Sequence, residues 1–142
     1  MKIVDQGREH AVALFRIVLG FLFVCHGIKL IFGVFGGKAV AFGTWPTWWA
    51  SIIQLIGGTA VALGVGTRII ALVCSGSMAF AYFTVHAPGG LLPIENGGEA
   101  AVFFCWGFLL IAVIGGGSWA LSSAFRRPDA ADRSPAGLET AS

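Results

Sequence analysis

AVALFRIVLGFLFVCHGIKLIFGVF, running from Ala11 to Phe35, is apolar apart from Arg16, His26 and Lys29. About 20 apolar residues in a helix cross the hydrocarbon core of a bilayer. This stretch is therefore one membrane span, and it decides the fold class. Composition agrees. Of 142 residues, 56% are hydrophobic and 11% charged, with a mean hydropathy of +0.84. Soluble domains carry roughly a quarter charged residues, so lipid is the solvent that fits this chain. Its length allows one domain. The net charge of +2 is spread along the sequence and forms no nucleic-acid footprint. The run is long, carries two cations and lacks a small-residue cleavage site, so it reads as a retained helix rather than a signal peptide.

Outward from that span, the first ten residues, MKIVDQGREH, belong at the interface. The loop GGKAVAFGTWPTW follows, and its Trp45 and Trp48, with Trp49 next to them, suit a membrane boundary where an indole is half wet. A second span is predicted from about Trp48 to Val65, then a short basic turn ending at Arg68, then a third span from about Ile69 to Val85. The stretch from His86 to Glu99 holds two prolines and four glycines and reads as a loop. A fourth span runs from about Glu99 to Ile114 and extends towards Trp119 if the glycine run allows it. The predicted fold is thus an all-α, four-transmembrane-helix bundle over residues 1–125. The polar segment RRPDAADRSPAGLETAS, residues 126–142, is predicted to be a disordered tail.

Charge sets the orientation. Lys2, Arg8, Arg68, Arg126, Arg127 and Arg133 fall on one side of four spans, and Lys38 falls in a loop on the other. The positive-inside rule puts both termini in the cytoplasm, which makes this a multi-pass protein of the plasma membrane. Small residues recur in helix two (Gly57, Gly58, Gly64) and helix three (Ala71, Ser75, Ala79). They let helices approach closely in lipid, and the same faces would serve a homo-oligomer. Cys25, Cys74 and Cys105 stand singly in apolar runs and read as packing residues, with no metal-ligand spacing among them.

Ionisable groups inside a bilayer need a reason. His26 and Lys29 are i and i+3 on one helix face. With antiparallel helices, Gln54, His86, Glu95 and Glu99 all reach the same outer third of the bundle. Lys29 and Glu99 are the expected ion pair, since a neutralised pair is cheaper to bury than a lone charge. Arg16 lies near the other end, where it either snorkels to phosphates or pairs inside the bundle. The cluster of His26, Lys29, Gln54, His86 and Glu99 has two readings. One is a structural knot that sets helix register. The other is a pocket for a headgroup-sized ligand such as a quinone, whose carbonyl oxygens trade protons with a histidine.

These residues resemble the DoxX family of small bacterial membrane proteins. Arg16-Ile17-Val18-Leu19-Gly20 followed by His26-Gly27-Ile28-Lys29 is similar to the family's helix-one pattern. Gln54-Leu55-Ile56-Gly57-Gly58 and Leu63-Gly64-Val65-Gly66-Thr67-Arg68 resemble its helix-two stretch. Met78-Ala79-Phe80-Ala81, His86, Asn96-Gly97-Gly98-Glu99 and Gly115-Gly116-Gly117-Ser118 complete the likeness. Gln54 departs from it, because the family often has an acid there. The resemblance implies a membrane component of a redox system, and a quinone- or thiol-linked role is the expected function. With no soluble domain to bind an electron donor, redox-protein partners are expected, and no intrinsic cofactor is expected beyond a quinone ligand. Its candidate positions are Arg16, His26, Lys29, Gln54, Arg68, His86 and Glu99. A structural or assembly subunit and a small-solute transporter remain the alternative functions.

Overall fold

A computed structural model describes residues 2–121. The polar segment 126–142 lies outside the described residues. All regular structure among the described residues is helical. The long helices are α1 (Lys2–Phe32), α2 (Thr47–Leu63) and α3 (Thr67–Ala81). A π-helical turn, Tyr82–His86, and a 3-10 turn, Ala87–Gly89, lead to a single turn, α4 (Pro93–Asn96), and then to α5 (Glu99–Ile114). Two helical stretches are long and apolar enough to cross a membrane: Asp5–Phe32, with mean hydropathy 2.2, and Thr67–Gly89, with mean hydropathy 1.6. Thr47–Leu63 and Glu99–Ile114 are shorter apolar helices.

α1 begins nine residues before the apolar run, so the polar start continues the helix. The stretch after α3 is also more helical than its prolines and glycines predict. Pro93 sits at the start of a helix, where its missing N–H costs nothing. Gly97 then ends that turn in the left-handed conformation at φ 68°.

The four long helices pack antiparallel in chain order, α1 along α2, α2 against α3, and α3 along α5. One buried stripe on α1, Ala13, Arg16, Leu19, Phe23, repeats at helical spacing. Phe23 meets Phe104 and Phe108 of α5 at ring separations of 5.1 and 4.6 Å. Val61, Ala71, Cys74, Met78 and Ile111 complete the core. The α1–α2 crossing depends on missing side chains. A Cβ on Gly20 would fall 2.6 Å from the Gly58 carbonyl oxygen, and one on Gly58 would fall 2.8 Å from the Gly20 oxygen. Such close approach supplies van der Waals contact that lipid does not.

The outside is as apolar as the inside. Phe21, Ile56, Ile69, Phe103, Trp106 and Val113 are all at least half exposed. A soluble protein does not present so continuous an apolar surface, whereas a bilayer covers it.

Candidate functional site

Between the C-terminal half of α1, the start of α2, the end of α3 and the start of α5 lies a cavity of about 640 Å³. Its wall is mostly aromatic and aliphatic, including Phe23, Trp45, Trp49, Met78 and Phe104. Four of the five predicted cluster residues line it: His26, Lys29, Gln54 and His86. This is the usual make-up of a ligand site, an apolar shell with a few polar groups.

His26 lies one turn after the buried Phe23. Its Nδ1–H donates to the Leu22 carbonyl at 3.1 Å, and its ring stands edge-on to Phe104 at 5.2 Å. His86 is carried by the π-helical turn, and its Nδ1–H donates to the Asn96 carbonyl at 3.3 Å. A carbonyl oxygen can only accept, so in both rings the proton of the neutral form sits on Nδ1. Nε2 is then a bare acceptor. Gln54 is 6% exposed, and its Oε1 has no hydrogen-bond partner among the described residues. Lys29 runs its stem past Gly37, where a Cβ would fall 2.7 Å from Lys29 Cγ.

A polar clamp holds the His86 loop. Tyr82 donates its hydroxyl to the Leu91 carbonyl at 2.6 Å. Asn96 donates through Nδ2 to the Gly90 carbonyl at 2.7 Å and to the Tyr82 hydroxyl at 3.3 Å, and its Oδ1 accepts from the Gly98 N–H at 2.7 Å. Neither Tyr82 nor Asn96 stands out as a site residue in the sequence. The only hint is Asn96 before a Gly-Gly pair, a turn-forming position.

Glu99 does not join the cluster. It is exposed, it does not line the cavity, and it forms no ion pair with Lys29. The expected Lys29–Glu99 pair is therefore corrected. The inward face of α5 starts at Ala101, Phe104 and Phe108. Two residues earlier on a helix is roughly 200° away, which turns Glu99 outward. Glu95 is likewise exposed and away from the cavity. The only ion pair among the described residues is Arg8 with Glu9, at 3.7 Å on the surface.

Arg16 and Arg68 sit at the other end of the bundle. Arg16 is fully buried, at 0% exposure, and its Nη2 donates to the Trp119 carbonyl at 3.2 Å. Of its two expected roles, snorkelling is not the one taken. Arg68 is exposed beside Gly115. All three cysteines are free thiols.

The DoxX family model matches residues 11–87, a stretch that includes His26, Lys29, Gln54 and His86. An uncharacterised protein of Haemophilus influenzae is 33% identical over 132 residues, spanning 88% of this chain and 98% of that relative. No solved structure matches.

Proposed function

The chain belongs to the DoxX family of membrane proteins, and on that premise we propose that it spans the plasma membrane four times and holds a quinone or quinol head group in the histidine cavity. The 17 residues of α2 are just enough for a span. α5 has 16 and is followed by the glycine segment that leads to Trp119. Trp45, Trp49 and Trp119 supply boundary anchors at their ends. Lys2, Arg8 and Arg68 lie at the end of the bundle opposite the histidine cavity, so that end faces the cytoplasm.

The observation that carries the ligand reading is the matching placement of His26 and His86, each with Nδ1 against a backbone carbonyl. Both rings commit Nδ1–H to a backbone carbonyl and line one apolar cavity. Each neutral ring therefore offers an acceptor. A quinol has two hydroxyl donors at opposite ends of a flat ring, and aromatic walls accept such a ring. In a balanced reaction, two thiols of a redox-protein partner lose two protons and two electrons and close a disulfide, while quinone becomes quinol. The role of this chain is to hold the head group and to accept hydrogen bonds from the product.

Trp45 and Trp49 in the wall supply a readout. Purified protein in neutral detergent is titrated with short-chain quinol and quinone while tryptophan fluorescence is followed. Quinol binds with a saturable change, and His26→Phe or His86→Phe weakens it by about tenfold, the worth of one hydrogen bond. If both variants bind as the parent does but unfold more easily, the cluster is a structural knot and the chain an assembly subunit.

A further inference from the structure

At the end of the bundle opposite the histidines, a second cavity of about 540 Å³ opens between the first turn of α3 and the glycine turn 115–117. Several features there concern charge. α3 is 15 residues long and starts behind Gly66, which provides no side-chain cap. The first N–H groups of a helix have no partner inside it, and the peptide dipoles place partial positive charge at that end. Thr67 is 6% exposed, and its Oγ1 has no hydrogen-bond partner among the described residues. That hydroxyl faces the cavity wall, since a Cβ on Gly116 would come within 3.2 Å of it. A buried hydroxyl without a partner is costly, so Thr67 Oγ1 favours a group that accepts its hydrogen.

Two guanidinium groups flank the same place. Arg68 lines the cavity and lies over Gly115, where a Cβ would be 3.4 Å from both Nε and Nη2. It forms no ion pair among the described residues. Behind the wall, Arg16 is fully buried with Nε and Nη1 lacking hydrogen-bond partners. A Cβ on Gly64 would overlap both Arg16 and Ala120, and Ala120 is part of the cavity wall. The one carboxylate in the wall, Glu9, is 3.7 Å from Arg8. A buried cation calls for a counter-charge, and Arg16 has none among the described residues.

We propose that this cavity binds a phosphate-type oxyanion. Thr67 donates its hydroxyl to one oxygen, and the flat Arg68 fork donates to one or two more. The uncapped first-turn N–H groups of α3 supply the remaining donors, as helix starts do for phosphates elsewhere. Arg16 contributes positive field through the wall rather than contact. A tetrahedral oxyanion suits donors that arrive from several directions. The anion comes either from a phospholipid head group or from a soluble phosphate.

The full chain, purified in an uncharged detergent, is titrated with inorganic phosphate in one arm and with short-chain phosphatidylglycerol in another. Short-chain diacylglycerol, which lacks the phosphate, is the control. Native mass spectrometry counts adducts, and thermal unfolding reports stabilisation. Saturable binding of one phosphate or one phosphatidylglycerol per chain is expected, with no diacylglycerol adduct. Arg68→Gln and Thr67→Val should each weaken it by at least about tenfold, while Thr67→Ser retains it. Binding of inorganic phosphate identifies a soluble source, and binding of phosphatidylglycerol alone identifies lipid. Absence of saturable binding in both arms overturns the proposal. So does binding that Arg68→Gln and Thr67→Val leave unchanged, or equal loss in folded Thr67→Val and Thr67→Ser.

Discussion

The guanidinium of Arg16 fills the space in which a side chain on Gly64 would stand. Gly64 closes α2 in the left-handed conformation at φ 78°, while the Val65 N–H returns to the Ala60 carbonyl at 2.9 Å. The end of one helix is thus shaped around a buried cation on another. The cation lies near the C-terminal end of α2, where the peptide dipoles favour it.

Gly64→Ala should therefore destabilise the protein for two reasons. The left-handed backbone costs a non-glycine residue about 1–2 kcal/mol, and the new methyl group overlaps Arg16 and Ala120. A total of about 2–4 kcal/mol is expected, read from unfolding in detergent. Gly66→Ala is the control. It has φ 52° but more room, with Ile70 Cδ1 at 3.3 Å, so it should lose only about 1–2 kcal/mol.

Two further glycines should behave in opposite ways. Gly58→Ala pushes a methyl against the Gly20 carbonyl at 2.8 Å and Val24 Cγ2 at 2.9 Å, so α1 and α2 must separate. A loss of about 1–3 kcal/mol follows. Gly76, inside α3, has nothing within 4 Å of its Cβ position. Gly76→Ala should stabilise by about 0.5–1 kcal/mol through helix propensity.

Ser75 ties α3 to α5 by donating its hydroxyl to the Cys105 carbonyl at 2.8 Å. Ser75 is buried, so water does not replace that bond. Ser75→Ala should cost about 0.6–1.7 kcal/mol, the range found for hydrogen bonds between membrane helices. Equilibrium unfolding in mixed detergent measures it.

Tyr82→Phe removes the hydroxyl that bonds Leu91 and Asn96. The loop that positions His86 should loosen while the bundle persists. Hydrogen exchange over residues 87–98 should speed up, exchange in α1 and α2 should stay unchanged, and quinol binding should weaken in step with the loop.

Much of this was legible in the residues. Long apolar runs and the basic Arg68 turn anticipate the helices and their antiparallel order. The i, i+3 spacing of His26 and Lys29, with Gln54 and His86 entering from the same side, anticipates the cavity. Glu99 was misjudged because its depth was right and its helical phase was not. Depth follows from counting residues, whereas phase depends on which face of α5 meets Phe23. Arg16 shows a related limit. Its buried placement comes from Gly64 and Trp119, distant in sequence, and no local pattern announces it. The clamp of Tyr82 and Asn96 was hidden because Tyr82 opens a π-helical turn, and that turn has no simple sequence signature.

The central claim is that the cavity holding His26 and His86 receives a quinol-type head group. A photoreactive short-chain quinone, reduced to the quinol and cross-linked to the purified protein, tests it by the position of the label. Label on Trp45, Trp49 or Met78, displaced by excess unlabelled quinol and lost in the His26→Phe, His86→Phe double variant, is the predicted result. Label spread over outward-facing Phe21, Ile69 and Val113, undisplaced by competitor and equal in the variant, would contradict the account.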